Sequence, residues 1–402
     1  MAHLPIGRRG LILGLATSLV AGRSRAALAD APGERRLVVV LLRGALDGLS
    51  TVAPYADPRF AELRGPLALP EPGREGGLLD LGGSFGLHPA MPGLHRLFAA
   101  NEAAFVHAAA GPWRTRSHFD GQDFLESGAD HRLAAGWLNR AVLALWPHEA
   151  GAIDSVSRKA LAAGQSVPLL LRGEARITNW VPRNLPATSP DAMTRLAGLY
   201  RRDPLLGPVF ADAEAGRHFA QAALAGAAAA GAGGERAGFA ALMRATGRLL
   251  ADPRGPRVAA TELTGFDTHA GQVPRLPNLL GTLDAGIEAL REALGPAWTN
   301  TAVLAMTEFG RTVRINGTGG TDHGTGGVAI LAGGAIAGGR VFGNWPGLGD
   351  LLEGRDLAPT TDLRALAKAL LGAHLGVPAS RLDREVFPGS AGVAPMRGLL
   401  RA

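Results

Sequence analysis

One apolar run near the start of the chain constrains the fold most strongly. Residues 37–42 read Leu-Val-Val-Val-Leu-Leu and include no polar side chain that would mark a solvent-facing side. Such a strand is typical of a parallel sheet covered on both faces. Further strands are predicted at 104–109, 167–171, 258–263, 301–306 and 328–331, with helical stretches between most of them. This alternation predicts an α/β fold with a mostly parallel central sheet.

Helical spacing of apolar residues marks the other elements. It predicts helices at 92–100, 119–127, 287–294 and 363–375. The segment 154–234 is different, because loops rich in Pro and Asn are followed by Ala-rich helices and a Gly-rich stop. We interpret this segment as an inserted helical cap.

The N-terminus carries an export signal. Arg8 and Arg9 directly precede an apolar run at 11–22 that is too short to cross a bilayer comfortably. Ala27-Leu28-Ala29 then supplies the small-x-small pattern of a cleavage site. Paired arginines before a mildly hydrophobic core are typical of a twin-arginine signal. We therefore predict a signal peptide at 1–29, a folded domain at 30–402, and a periplasmic or secreted protein that meets the twin-arginine export machinery and has no membrane span when mature.

Composition excludes several classes of protein. The chain of 402 residues has no cysteine, which excludes disulfides, Cys-ligated zinc and a thiol nucleophile. Four of its six excess positive charges are arginines within residues 1–29, and the other arginines are scattered without interleaved aromatic residues. Nucleic-acid binding is therefore not expected.

Polar motifs that follow the predicted strands carry the chemistry. Open α/β sheets build their sites at the carboxyl ends of strands. The carboxylates and histidines of these motifs form a mixed oxygen and nitrogen set that suits Zn or Mn better than Mg or Ca. We predict a divalent transition metal, as one or two ions. The motifs are Asp47-Gly48, Arg-Thr-Arg-Ser-His-Phe-Asp at 114–120, Phe-Asp-Thr-His at 266–269, Thr-Glu-Phe-Gly-Arg at 307–311 and Asp-His-Gly at 322–324.

Some of these residues have a structural interpretation as well. Ser117 with Asp120 matches a helix capping box, although a hydroxyl at a helix N-terminus is also where a nucleophile facing an anion would sit. Asp47 alone is as well explained by capping the next segment. His118 is as well explained as a packed side chain.

A separate motif suggests a different enzyme class. Gly-Gly-Ser-Phe-Gly at 82–86 fits the nucleophile elbow of a serine esterase around Ser84. An elbow needs a strong strand before it and a helix directly after it, and the flanking sequence predicts neither.

The ordered motifs resemble those of a known bacterial family. Strand–Asp-Gly, Arg-Ser-His-Phe-Asp, Phe-Asp-Thr-His, Thr-Glu-Phe-Gly-Arg and Gly-Gly-Thr-Asp-His-Gly together look like the domain-of-unknown-function family 1501, whose members often carry twin-arginine signals. That family resembles the alkaline phosphatase/sulfatase superfamily. The resemblance covers 36–390 and implies a three-layer α/β sandwich.

The resemblance also implies site roles. Asp47 would bind the metal nearest the nucleophile, and Ser117, or Thr115 in its place, would be that nucleophile. Asp267 and His269 would hold the other metal.

Two further positions match later ligands of the superfamily. Glu308 stands where the superfamily commonly has an Asp-His pair, and His323 would be the late histidine ligand. No histidine follows Glu308. The sequence is therefore compatible with two bound metal ions, with one, or with none.

These inferences predict an exported metal-dependent hydrolase of phosphate- or sulfate-type esters. Its substrate would be a small anionic ester or a sulfated or phosphorylated glycan. The alternative is a non-catalytic envelope protein that keeps the fold to bind a glycan or a protein partner. The candidate catalytic residues are Ser117, His118, Arg114 and Arg311, and the candidate metal ligands are Asp47, Asp267, His269, Glu308, Asp322 and His323.

Overall fold

The computed structural model describes residues 34–147, 159–181, 189–204, 206–224 and 234–401. The predicted signal at 1–29 lies outside these residues. The strands are β1 (Arg36–Leu42), β2 (Val52–Ala53), β3 (Leu79–Asp80), β4 (Gly86–Leu87), β5 (Ala103–Ala110), β6 (Ala160–Ala163), β7 (Thr178–Trp180), β8 (Val258–Leu263), β9 (Thr301–Met306), β10 (Gly327–Ala332), β11 (Arg340–Phe342) and β12 (Thr361–Asp362).

Helices connect most of these strands. They are α1 (Gly48–Thr51), α2 (Phe60–Arg64), α3 (Pro92–Ala99), α4 (His118–Ser127), α5 (Trp137–Leu145), α6 (Pro190–Tyr200), α7 (Leu206–Ala223), α8 (Gly234–Ala251), α9 (Gln272–Leu294), α10 (Leu363–Ala369) and α11 (Ala379–Arg381). Among the residues that the structure describes, no helix is both long and apolar enough to cross a membrane.

The large sheet places the carboxyl ends of several strands at one edge. Its order is β11-β5-β10-β9-β1-β8-β6-β7, with β12 also paired to β5. All of these pairs are parallel except those of β10, which runs antiparallel to β5 and β9. The ends of β1, β5, β8 and β9 and the start of β10 therefore share one edge, and the predicted mostly parallel α/β sheet is confirmed.

Helices cover both faces of this sheet, which gives three layers. Every residue of β1 is buried. Leu37, Val39 and Leu41 pack into one apolar cluster with α4, α5 and α10. Val38 and Val40 pack into the other with α3, α8 and α9. The alternation of β1 between two cores explains why its sequence is apolar at every position from Leu37 to Leu42.

Two predicted elements differ from the structure. Residues 167–171 are not a strand, because a short 3-10 helix forms at Leu169–Leu171 directly after Pro168. The segment 154–234 is also more than a cap, since β6 and β7 extend the main sheet beside β8 before α6 and α7 follow. The sequence of β6, Ala-Leu-Ala-Ala, has no β-branched residue that would have predicted a strand.

The structure does not support the nucleophile elbow at Ser84. Ser84 lies in the turn between β3 and β4, which belong to a small antiparallel sheet with β2. The segment after β4 leads to α3 only beyond His88 and Met91. The strand–turn–helix geometry of an elbow is therefore missing at this position.

Candidate metal centre

Loops at the carboxyl edge of the sheet bring four side chains together. His118 begins α4 after β5, Asp267 and His269 follow β8, and His323 precedes β10. The Oδ1 atom of Asp267 lies 3.1 Å from Nε2 of His269, 3.3 Å from Nε2 of His323 and 3.5 Å from Nε2 of His118. The Nε2 atoms of His269 and His323 are 2.9 Å apart. We refer to these four residues as the His-Asp cluster.

The ring of His118 is oriented by Glu308. Its Nδ1 donates to Oε1 of Glu308 over 2.8 Å. The same oxygen accepts from the Gly44 amide and from Gln122, both at 3.0 Å, and Oε2 accepts from Thr307 at 2.8 Å. Glu308 is 1% exposed. Its oxygens are therefore occupied by donors of the chain, and it positions a histidine rather than facing the cluster directly.

The rings of His269 and His323 are oriented in the same way, by a hydrogen bond from Nδ1. Nδ1 of His269 donates to Oδ1 of Asp322 over 2.9 Å, and Nδ1 of His323 donates to the carbonyl of Arg116 over 2.7 Å. A carbonyl or carboxylate oxygen can only accept, so each Nδ1 carries the proton. A ring with its one proton on Nδ1 presents the lone pair of its Nε2 toward Asp267, as metal-binding histidines do.

The convergence of these atoms fits a cation. The ligand atoms of His118, Asp267 and His323 all lie within 4.8 Å of one another. Nε2 of His118 is buried and makes no hydrogen bond within the described part of the chain. Several lone pairs facing one another repel unless a positive charge lies among them. The residues present thus fit a metal ion with nitrogen and oxygen ligands.

Arg311 fixes the carboxylate of the cluster. Its side chain is buried, with one N–H donated to Oδ1 of Asp267 over 2.8 Å and others to Thr321. Burial alone would raise the pKa of Asp267, but the hydrogen bond and charge of Arg311 outweigh it and lower that pKa. Asp267 is therefore an anion that is ready to bind a metal.

Protonation of the rings differs between histidines. The hydrogen bond to Glu308 raises the pKa of His118. Burial lowers the pKa of His323, and the nearby charges of His118 and Arg311 lower it further. A proton and a metal ion compete for the same Nε2 atoms, so metal affinity should weaken as the pH falls.

Asp47, which the sequence predicts as a metal ligand, makes its described side-chain hydrogen bonds to residues outside the His-Asp cluster. Its oxygens accept from Arg64 at 2.5 Å, Gln272 at 2.5 Å and the Ser50 amide at 3.1 Å. It is the N-cap of α1, as the alternative interpretation held. Asp47 and Arg64 are 1% and 0% exposed, and with Ser50 and Gln272 they form what we call the buried network.

Ser117 and Arg114 also lie in other arrangements. Ser117 is the N-cap of α4, and its hydroxyl accepts from the Asp120 amide at 3.5 Å. The reciprocal half of the predicted capping box is not formed, because the Ser117 amide donates to Thr115 and the Asp120 carboxylate accepts from Arg132. Arg114 donates to the carbonyls of Gly111 and Trp113. Neither side chain makes a described contact with the His-Asp cluster.

Sequence reasoning missed three supporting residues. Gln122 lies one turn after His118 on α4, and Gln272 lies three residues after His269, so proximity in sequence was a usable signal for both. Arg64 is 17 residues from Asp47 on another helix. No local pattern marks such a partner.

The depressed pKa of Glu308 predicts a pH effect on the metal-free protein. Burial would raise this pKa, but hydrogen bonds from His118, Gln122 and Thr307 outweigh it and lower the pKa from 4.5 to about 2. The resulting stabilisation is complete above pH 4.5 and is lost as the pH falls toward 2. By about pH 3 we expect the free energy of unfolding to have lost about 2 kcal/mol from this group.

Urea unfolding of the wild type and of Glu308→Gln, both with a chelator present, tests this effect. The comparison separates the titration of Glu308 from that of the other carboxyl groups. The variant lacks the titrating group, so the difference in unfolding free energy between the two proteins should shrink by that amount between about pH 5 and about pH 3. A difference that is constant with pH would contradict the assignment.

Comparison with known proteins gives one family and several distant structures. A family model described as "Protein of unknown function (DUF1501)" matches residues 108–384, more than half of the chain and all of the His-Asp cluster. No curated protein matches the sequence. Similar solved structures include the C-terminal periplasmic domain of EcEptC from Escherichia coli in complex with Zn, at 10% identity over 74% of this chain and 73% of that one with a TM-score of 0.34.

Two other structures are similarly distant. Ps i-CgsB in complex with k-i-k-neocarrahexaose is 12% identical over 87% of this chain and 74% of that one, with a TM-score of 0.37. The phosphonate monoester hydrolase of Agrobacterium radiobacter is 11% identical over 74% of this chain and 68% of that one, with a TM-score of 0.31.

Proposed function

The chain belongs to the DUF1501 family of proteins of unknown function, and on that premise we propose that it is an exported metal-dependent hydrolase of phosphate- or sulfate-type esters. One observation supports this most strongly. Three imidazole rings have their Nδ1 atoms tied to acceptors, and their Nε2 atoms converge on one carboxylate oxygen of Asp267.

The His-Asp cluster would hold the ion. The ligands would be Nε2 of His118, His269 and His323 with Oδ1 of Asp267, a set that suits Zn or Mn. A bound divalent ion supplies Lewis acidity toward an ester oxygen and lowers the pKa of a nearby hydroxyl or water. The cluster lies at the carboxyl edge of the sheet with the Asp267 side chain 43% exposed, so a substrate can reach it.

Ser117 is the nucleophile in this proposal. It directly precedes His118, and among the described residues its hydroxyl is held by the long 3.5 Å contact from the Asp120 amide alone. Its Oγ attacks the phosphorus or sulfur atom, the bond to the ester oxygen breaks, and the hydroxyl proton leaves with the alcohol. Water then cleaves the serine ester, which releases phosphate or sulfate and restores the hydroxyl.

The N-terminus of α4 would stabilise the developing charge. Amides of its first turn point toward an anion placed beside Ser117. Arg114 and Arg311 are less suited to this role than their sequence positions predicted. Arg114 is bound to backbone carbonyls, and Arg311 is buried against Asp267 and Thr321.

Elemental analysis and turnover together test the proposal. Protein exported through its native route should contain a transition metal and hydrolyse p-nitrophenyl phosphate or p-nitrophenyl sulfate, with activity lost to a chelator. Ser117→Ala should keep the metal and lose activity by at least about 100-fold, because it removes the nucleophile. Ser380→Ala, at an exposed serine, is the matched control and should retain activity.

Two outcomes would count against the hydrolase. Protein without metal would contradict a metal-dependent enzyme. Metal-loaded protein that turns over neither ester would favour the non-catalytic envelope protein, which would bind a sulfated or phosphorylated glycan or a protein partner through the same edge.

A further inference from the structure

A cavity lies beside the buried network, whose Ser50 and Gln272 form part of its wall, and none of its lining residues belongs to the His-Asp cluster. It has a volume of about 310 Å³ and lies between the start of α9 and the segments 66–69 and 88–90. Most of its wall is apolar and includes Leu67, Leu276 and Val273. Val273 is 55% exposed, so the cavity can be reached from solvent.

His88 is a polar residue of this wall, and one of its two ring nitrogens is available to a ligand. The residue is 6% exposed, and its Nδ1 accepts from the Ala90 amide at 3.1 Å. An accepting Nδ1 leaves the single proton of the neutral ring on Nε2. Burial lowers the pKa of His88 to about 4, so the ring is neutral at physiological pH. Within the described residues Nε2 makes no hydrogen bond, and it is not sealed from solvent, so a molecule in the cavity can reach it.

The other polar groups of the wall are already satisfied. Ser50 donates to Asp47 and accepts from Arg64 at 2.6 Å. The Gln272 amide donates to Asp47, and its oxygen accepts from the hydroxyls of Thr268 and Thr321. No charged side chain lines the cavity. An ionic ligand would therefore lose its hydration here without gaining a partner.

We propose that this cavity binds a neutral, largely apolar molecule of about ten non-hydrogen atoms whose carbonyl oxygen accepts a hydrogen bond from Nε2–H of His88. Such a ligand fills the apolar walls and satisfies the unpaired donor. The ligand oxygen takes the place of water at this donor, so the hydrogen bond contributes more to specificity than to affinity. This inference does not depend on the proposed hydrolase activity.

A pair of probes of equal size tests the hydrogen bond directly. Acetophenone and cumene have similar shapes, but only acetophenone carries a carbonyl oxygen. In NMR titrations of the wild-type protein we expect acetophenone to bind about two- to tenfold more tightly than cumene. In His88→Phe that preference should vanish, because the donor is gone. His95→Phe, which changes a histidine outside the cavity, should retain it.

If His88→Phe does not fold, contacts between acetophenone and the wild-type protein still test the proposal. Nuclear Overhauser effects should join the acetophenone methyl group to the methyl groups of Val273 and Leu276. Equal affinities of the two probes for wild type, an unchanged preference in folded His88→Phe, or the absence of these contacts would each overturn the proposal.

Discussion

Replacing Asp47 by Asn is expected to lower the free energy of unfolding by about 3–5 kcal/mol and to leave the metal content unchanged. Asp47 neutralises Arg64, whose side chain is fully buried. The other described partners of that guanidinium are the carbonyls of Thr312 and Val313 and the hydroxyl of Ser50. None of these carries a charge, so the variant leaves a buried cation uncompensated.

This prediction separates the two interpretations of Asp47. Urea unfolding measures the stability, and elemental analysis of the same samples measures the bound metal. Asp350→Asn removes an exposed carboxylate and is the matched control, with little change expected in either quantity. Loss of metal with nearly unchanged stability would restore Asp47 as a ligand and contradict the buried network.

The buried network also reaches the His-Asp cluster. Gln272 accepts from Thr321 at 2.8 Å, and Thr321 accepts from Arg311 at 3.2 Å. Arg311 in turn donates to Asp267. Asp47 is therefore separated from the cluster by Gln272, Thr321 and Arg311. Asp47 thus follows the first strand into the site region, where its described hydrogen bonds go to Arg64, Gln272 and Ser50.

The sequence predicted those parts of the fold and site that local pattern determines. The strands at 258–263 and 301–306 have the predicted bounds. The second is buried at every residue and is apolar after Thr301, which leaves a clear signal, whereas the first carries Thr261 and Glu262 near its end. His118, Asp267, His269 and His323 are brought together because each lies near a strand end at one edge of a parallel sheet.

The sequence predicted which residues lie in the site better than it predicted the role of each residue there. The sequence predicts Asp322 and Glu308 as ligands, and in the structure Oδ1 of Asp322 accepts from His269 and Oε1 of Glu308 accepts from His118. Whether a carboxylate faces the ion or a ring nitrogen depends on side-chain directions that sequence spacing does not fix. Long-range partners such as Arg64 have no local signal at all, since only the folded chain brings them near.

Metal affinity should fall in a graded order across the variants of the centre. Asp267→Ala and His323→Ala remove ligand atoms, and we expect affinity to drop by more than about 100-fold. Glu308→Gln and Asp322→Asn keep every ligand atom but weaken the acceptors that orient His118 and His269. For these two variants a loss of about 10- to 100-fold is expected.

Competition titrations with a chromophoric zinc chelator at constant pH measure this order. Asp47→Asn is the internal control and should bind zinc like the wild type, because Asp47 contacts none of the four ligands. The reason for the graded losses is geometric. A ligand forms a bond to the ion, whereas an outer acceptor only fixes the tautomer and the orientation of a histidine ring. A larger loss in Glu308→Gln than in Asp267→Ala would show that the carboxylate of Glu308, and not that of Asp267, faces the metal.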